Sequence, residues 1–379
     1  MIEWNDEQRA LRAAATALGE AVGAGHIERD ERGEFDRSGW DRLREIGLTG
    51  LPVDQRWGGL GQDLLTTMYI LEGLGSGCRD TGLSFSLCTH LASTAIPLRR
   101  YGSGRVRDEF LPRVAAGTAI GAHAITEPEA GSDIMRLRTT ARREGDHFVL
   151  NGAKGFVSNG PIADLVVVYA RTGRAEDAAG ITAFLVERGT PGLSFGRPVS
   201  KMGLRTAPLG ELYLDDCLVP ADHALGAVGS GFLVLDHVMK WEILCSFVVN
   251  VGEMRHRLRR CVDYARTRSQ FGKPIGSFQA VAAKLVEMKI GVESSAKWLY
   301  DTALRLLAGE DVTADLAIAK LVTSESNVAS ARAAVQLFGG YGYLTEYGVE
   351  KDLRDAVAGT IYSGTSEIQR ERIAHTLGL

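Results

Sequence analysis

The sequence predicts an α+β chain laid out as a helical N-terminal third, a β-rich middle and a helical C-terminal part. Three observations carry that reading: apolar residues recur at helical spacing to about residue 120, β-branched runs replace them after Gly121, and four long helical stretches follow Ser230. The implied domains are 1–120, 121–229 and 230–379, and a chain of 379 residues fits two or three domains of about 150.

The first helix is expected to open at Asn5, whose short side chain can accept from free N–H groups, with Asp6 and Glu7 in the first turn. Leu11, Ala14, Leu18 and Val22 follow at helical spacing. Residues 64–74 and 107–115 repeat the signal, and Gly58-Gly59-Leu60-Gly61 is one of the breaks between. In the middle part, short strands are expected at 147–150, 165–169, 181–186, 193–195 and 211–214, ending at Pro220. The last part reads as helices at about 230–265, 276–308, 313–338 and 346–375, the number and length of a four-helix bundle. Thr313 is the expected cap of the third, and Gly339-Gly340 its end.

A hydrophobic share of 45% supports sizeable cores. With 43 basic against 47 acidic side chains and a net charge of -4, the chain lacks the basic excess that a nucleic acid partner demands. Residues 1–7 are acidic where a secretion signal is basic, and no run approaches the ~18 apolar residues of a membrane span, so a cytoplasmic protein without a membrane partner is expected. Five cysteines, none in a C-x-x-C pair, read as buried thiols rather than disulfides or metal ligands, and no metal is expected.

The segment Ala124-Ile125-Thr126-Glu127-Pro128-Glu129-Ala130-Gly131-Ser132-Asp133 gathers hydroxyls, acids and glycine in one turn. Such a turn can present N–H and hydroxyl groups to a polar ligand; taken alone, it can equally be a capped surface loop. It is followed by Asn151-Gly152-Ala153-Lys154-Gly155-Phe156-Val157-Ser158-Asn159-Gly160 and by Arg268-Ser269-Gln270-Phe271-Gly272. Gln336-Leu337-Phe338-Gly339-Gly340-Tyr341-Gly342 and Ile361-Tyr362-Ser363-Gly364-Thr365-Ser366-Glu367-Ile368-Gln369-Arg370 complete the set.

Five such motifs in this order resemble the acyl-CoA dehydrogenase family over essentially the whole chain. The resemblance implies an N-terminal helical domain, a central β-barrel-like domain and a C-terminal four-helix bundle, with FAD bound between the last two. Composition and spacing alone do not name FAD. By the same resemblance, Ile125 and Thr126 meet the flavin ring and Ser132 the substrate or flavin side of the cleft. Phe156 stands where the family often has Trp against the flavin, and Ser158 where it usually has Thr near N5. Arg268 meets the pyrophosphate with charge-assisted bonds, its bland alternative being a surface ion pair; Phe271 adjoins it. Phe278, Gln279, Gln336, Gly339 and Gly340 approach the adenine half from a neighbouring subunit, which implies a homotetramer arranged as a dimer of dimers. Thr365 and Glu367 complete the cofactor contacts.

The resemblance also implies a reaction: a base takes the α-proton of an acyl thioester while the β-hydride passes to flavin N5. Much of the family places that base as Glu in a Y-E-G-T sequence, where this chain has Tyr362-Ser363-Gly364-Thr365. Isovaleryl- and long-chain-type members place it on the first bundle helix instead, and aligning Gly231-Phe232-Leu233-Val234-Leu235 with the start of that helix puts Glu242 there. Glu242 interrupts an apolar stretch, so burial would raise its pKa; the alternative is a polar residue on a solvated helix face. Ser363 keeps its backbone N–H for the thioester oxygen, so Ser363→Ala is expected to be mild, and Gly364 adjoins the same oxygen. Lys240 and Trp241 are the expected substrate neighbours on the helix. Relatives typically have an acid where Lys240 stands and an Arg at Ile243, which opens the choice between acyl-CoA and an acyl carrier protein as thioester donor. An electron acceptor such as electron-transfer flavoprotein is implied. Two other readings share the fold: a flavin oxidase or monooxygenase, and a degenerate member that binds flavin or ligand without turnover.

Overall fold

The structure, a computed structural model, describes residues 2–173 and 180–379; Met1 of the acidic N-terminus lies outside them. Helix α1 (Asp6–Val22) starts as the sequence predicts: Asn5 Oδ1 accepts from the Gln8 N–H at 2.8 Å, and Gln8 Oε1 from the Asn5 N–H at 2.9 Å. Its buried stripe runs through Ala15, Gly19 and Val22, while Ala14 is exposed. Gly19 is required by packing, since a Cβ there would come within 2.8 Å of the Cys78 nitrogen. The N-terminal part continues with α2 (His26–Arg32), α3 (Arg37–Glu45), α4 (Leu64–Gly77), α5 (Thr81–His90), α6 (Ile96–Tyr101) and α7 (Gly104–Ala115). A single π-helical turn, Leu91–Ala95, joins α5 to α6.

The middle part holds β1 (Gly121–Ala124), β2 (Thr140–Glu144), β3 (His147–Ser158), β4 (Leu165–Arg171), β5 (Ile181–Glu187), β6 (Leu193–Phe195), β7 (Leu209–Pro220) and β8 (Ala224–Leu225). They form one sheet in the order β6-β7-β3-β2-β4-β5-β8, with β1 running parallel along β4. Its end strands β6 and β8 do not pair with each other, so the hydrogen-bonded path is open. One face carries a core of its own around Phe148, Phe184 and Leu212; the other packs against helices through Leu165, Val167 and Tyr169. Burial on both faces explains why β4 reads as an unbroken apolar run. The sequence expected β3 to stop before Gly152 and β7 to cover only 211–214. Both run for 12 residues, because bulges between Leu150/Gly152 and Lys154/Val157 absorb the irregular positions without ending the pairing. The short strands β1, β2 and β8 carry too little pattern to predict.

The C-terminal part consists of α8 (Gly231–Thr267), a hairpin of β9 (Ser269–Gln270) and β10 (Lys273–Pro274), α9 (Gln279–Leu307), α10 (Thr313–Phe338), α11 (Val349–Ala358) and α12 (Ser366–Thr376). Two expectations are corrected here. Thr313 is not the cap of α10: it is the first helical residue, and its N–H donates to the Asp311 carboxylate at 3.0 Å. The expected fourth long helix is two short ones, broken across Gly359–Thr365 where Ser363 and Gly364 take positive φ. Glu72, buried on α4, binds the three parts of the helical layer by accepting from Arg12, Arg255 and Tyr300 at 2.8–3.0 Å. All five cysteines are buried free thiols. No helix among the described residues is long and apolar enough to cross a membrane.

The seam between the helical and β parts is fixed by two buried side chains. His90 accepts from the Gly121 N–H through Nδ1 at 3.0 Å, which leaves Nε2–H to face the Thr49 and Val114 carbonyls at 3.2 and 3.1 Å. Asn159 donates to the carbonyls of Ser86 and Gly121 at 2.9 and 3.2 Å. Burial pushes the His90 pKa down to about 4, so the folded protein holds it neutral while the unfolded chain protonates near 6.5. Stability is therefore full above pH 6.5 and is lost as pH falls from there to about 4. His90 alone is expected to remove about 3 kcal/mol over that window, read as a fall in Tm between pH 7 and pH 4 that is smaller in His90→Gln; an equal fall in both would refute it.

Candidate active site

The break between α11 and α12 forms one wall of the site. Ser363 has φ of +54° and Gly364 of +87°, the left-handed region in which a serine is strained by on the order of 1–3 kcal/mol. Gln369 holds the turn by donating to the carbonyls of Ser363 and Gly364 at 3.0 and 3.2 Å. Thr365 then caps α12, accepting from the Ile368 N–H at 3.3 Å. The result is that the Ser363 hydroxyl donates to Glu242 Oε1 at 2.6 Å.

Glu242 arrives from α8. Its neighbours Trp241 and Ile243 pack into the helical core, and its own side chain, only 13% exposed, points between α8 and the sheet. Glu242 therefore does not lie on a solvated helix face. Its Oε2 is buried without a hydrogen-bond donor and faces His123 Nε2 at 3.4 Å. His123 pairs with Val167 in the parallel β1–β4 register, so its ring projects from the sheet face that also carries Tyr169 and that α8 covers. Burial lowers the His123 pKa, with the carboxylate of Glu242 acting against it. The sequence reading missed His123; its signal was an imidazole between Ala122 and Ala124, three residues before Thr126.

A second wall is the loop after β1. Glu127, 7% exposed at its side chain, accepts from the N–H groups of Arg138 and Thr139 at 2.7 and 2.8 Å and from the Lys154 ammonium at 2.8 Å. Lys154, fully buried on β3, also donates to the Ile125 carbonyl at 3.0 Å, and the Gly155 N–H donates to Thr126 at 2.9 Å. Burial pulls the Lys154 pKa down to about 8 and its pairing with Glu127 opposes that; the same pairing, with the Thr139 and Arg138 donors, holds the Glu127 carboxyl low against its own desolvation. These bonds lock the loop to β3 at the second bulge. Phe156 sits in that bulge with φ of +54° and is 73% exposed. The hydroxyls of Thr126, Ser132 and Ser158 make no hydrogen bond within the chain among the described residues, and Gly131 and Gly155 have open space where a side chain would stand. An exposed aromatic ring beside free hydroxyls fits a flat heteroaromatic group such as a flavin.

Most of the remaining predicted residues lie at the far end of α8. Arg268 caps the C-terminal end of α8, 26 residues beyond Glu242, or about 39 Å along the helix at 1.5 Å per residue. Its guanidinium lies 5.7 Å from the Tyr341 ring centre. Phe271, 93% exposed, forms the hairpin turn with Gly272, both at positive φ. Phe278 precedes α9 and carries the Lys273 ammonium 4.4 Å from its ring centre. Gln279, Gln336, Gly339 and Gly340 are exposed around the same end, and Glu367 is exposed in the first turn of α12. Lys240 pairs with Asp236 one turn back at 2.6 Å, and Ser132 is exposed. One chain thus gathers Glu242, Ser363, Gly364, Ile125 and Thr126 at one end of α8 and Arg268, Phe271, Phe278, Gln279, Gln336, Gly339 and Gly340 at the other.

Three family models match in succession: the N-terminal, middle and C-terminal domains of acyl-CoA dehydrogenase, over residues 5–118, 122–217 and 229–378. The chain is 40% identical over 346 residues to an L-prolyl-[peptidyl-carrier protein] dehydrogenase of Pseudomonas fluorescens, covering 91% of each chain. Among solved structures it is similar to the prolyl acyl carrier protein oxidase AnaB, with a TM-score of 0.96 and 41% identity over 100% of both chains. It is also similar to PigA with FAD and proline, at 0.96 and 36% over 100% of this chain and 99% of that one. On this fold, these motifs and these matches, the chain belongs to the acyl-CoA dehydrogenase family.

Proposed function

We propose that the protein is an FAD-dependent dehydrogenase that oxidises the α,β-bond of an acyl thioester, with Glu242 as the base. The observation that carries this reading is the inward-turned carboxylate of Glu242, held by the Ser363 hydroxyl from the very position where much of the family keeps its own glutamate. FAD supplies the hydride acceptor. The chain's part is to hold the thioester so that its α-hydrogen meets Glu242, to exclude water, and to offer the Ser363 N–H to the thioester oxygen as charge develops there. Thr126, Phe156 and Ser158 would face the flavin ring; Thr365 and Glu367 would finish that contact.

The distal cluster around Arg268 and Gln336 serves the cofactor of another subunit, in a homotetramer built as a dimer of dimers. Supporting this are its distance from Glu242 and the exposed apolar side chains Phe271 and Tyr343 at that end. The prolyl-carrier-protein relatives favour a carrier-bound aminoacyl thioester over acyl-CoA, with electron-transfer flavoprotein or a similar acceptor taking the electrons and the cytoplasm as the working compartment. The test combines two measurements: flavin released by heating is identified by chromatography, and the holoenzyme is mixed anaerobically with prolyl-carrier protein and with a panel of acyl-CoA thioesters. FAD recovery and flavin bleaching by a thioester are expected. Recovery of FMN, or a flavin that no thioester bleaches anaerobically, would overturn the reading; anaerobic bleaching followed by fast reoxidation with oxygen as the acceptor would make the protein an oxidase.

A further inference from the structure

We infer that His123 is a positioning residue of this site, forming with Glu242 a two-group proton store in which the imidazole takes over the α-proton that the carboxylate has removed. The inference rests on the assignment of Glu242 as the base. Three buried polar atoms without partners converge here from three elements: Glu242 Oε2 on α8, His123 Nδ1 on β1 and Tyr169 Oη on β4. Such groups are costly unless the working state uses them. The Nε2 edge of His123 faces the free carboxylate oxygen at 3.4 Å, a separation that a small side-chain rotation closes to hydrogen-bond length.

Among the ionisable groups of the described residues, these two are the pair placed to exchange a proton. The other ionisable groups that sense Glu242 are Tyr169 from β4, Cys88 from α5 and Tyr362 from the turn before α12. Burial pushes all three pKa values up, so each keeps its own proton at neutral pH. Among the described residues, Glu242 is the one charged group acting on His123. Where relatives typically have an arginine after the base, Ile243 is buried in the helical core and brings no charge. The proton balance is direct: the substrate Cα–H bond breaks as an O–H bond forms on Glu242, then that O–H bond breaks as an N–H bond forms on His123 Nε2. The carboxylate is restored beside an imidazolium, and the hydride leaves separately to the cofactor.

The test has one arm without substrate and one with it. In the ligand-free full-length protein labelled at histidine Cε1, the His123 resonance, assigned by its loss in His123→Gln, is followed by NMR against pH. Its midpoint is expected below 6.5 and is expected to fall further in Glu242→Gln, which removes the anionic partner; an unchanged midpoint overturns the pairing. In the second arm, anaerobic flavin reduction by prolyl-carrier protein is measured across pH in wild type, His123→Gln and His123→Phe, at matched FAD content and Tm. Both variants are expected to be slower by about ten- to a hundredfold and to lose the acid limb that the imidazole sets. Rates and profiles like wild type in both would reduce His123 to a packing ring. If Glu242→Gln itself reduces flavin normally, the assignment of the base fails instead, and the two failures are distinct.

Discussion

Glu242→Gln is expected to lower the anaerobic rate of flavin reduction by at least about 10²–10⁴ while leaving FAD content and ligand binding almost intact. Gln keeps the size of the side chain and can still accept from the Ser363 hydroxyl, but it cannot take the α-proton. The loss therefore falls on the transition state rather than on the ground state. Stopped-flow reduction under anaerobic conditions, with thioester affinity measured separately, reads both quantities. A variant that reduces flavin at the wild-type rate would show that the base lies elsewhere. Ser363→Ala belongs to the same experiment. The sequence alone predicts a mild effect, because the backbone N–H at that position survives the substitution. The hydroxyl donation to Glu242 Oε1 at 2.6 Å revises this. That bond orients the carboxylate over the substrate, and lost orientation can cost up to about a hundredfold, so Ser363→Ala is expected to slow reduction roughly ten- to a hundredfold, still well short of Glu242→Gln. If Ser363→Ala were the more severe of the two, the relocated base would be untenable.

Lys154→Met is the second large effect. It removes the ammonium from a pair in which Lys154 is fully buried and Glu127 is 7% exposed at its side chain, leaving a carboxylate in the interior with only the Arg138 and Thr139 donors. Breaking one side of a buried pair typically costs about 3–5 kcal/mol. The loop from Ile125 to Ser132 would also lose its tie to β3, because Lys154 donates to the Ile125 carbonyl as well. The expected outcome is a marked fall in the denaturation midpoint together with loss of retained flavin. Lys154→Met combined with Glu127→Gln is expected to recover part of the stability, since the uncompensated charge is gone. Unchanged stability and flavin content in the single variant would mean that the pair does not organise the loop.

The sequence by itself determined the three-part order of helices, strands and helices, the start of α1 at Asn5, the long first three helices of the C-terminal part, and the family. Those features are written in local periodicity, caps and contiguous motifs, which do not depend on where distant segments pack. Glu242 comes from the resemblance, by aligning Gly231–Leu235 with the start of a family helix, and the apolar stretch around Trp241 and Ile243 that it interrupts is only consistent with that placement. What only the tertiary structure decided are the relations across parts of the chain. The hydroxyl of Ser363 reaches a carboxylate 121 positions away because the last helix breaks at two positive-φ residues, and helical periodicity on either side gave no sign of that break. His123 lies against Glu242 because β1 pairs in parallel with β4 beneath α8, a register set by sheet packing rather than by the four residues of β1. Glu127 lies in a segment whose sequence fits a ligand-binding turn or a capped surface loop equally, and it is the buried partner of Lys154, which β3 brings under the loop beside its second bulge. In each case the deciding contact joins residues far apart in sequence, and its energy comes from desolvation and hydrogen bonding that exist only once the parts have closed on one another.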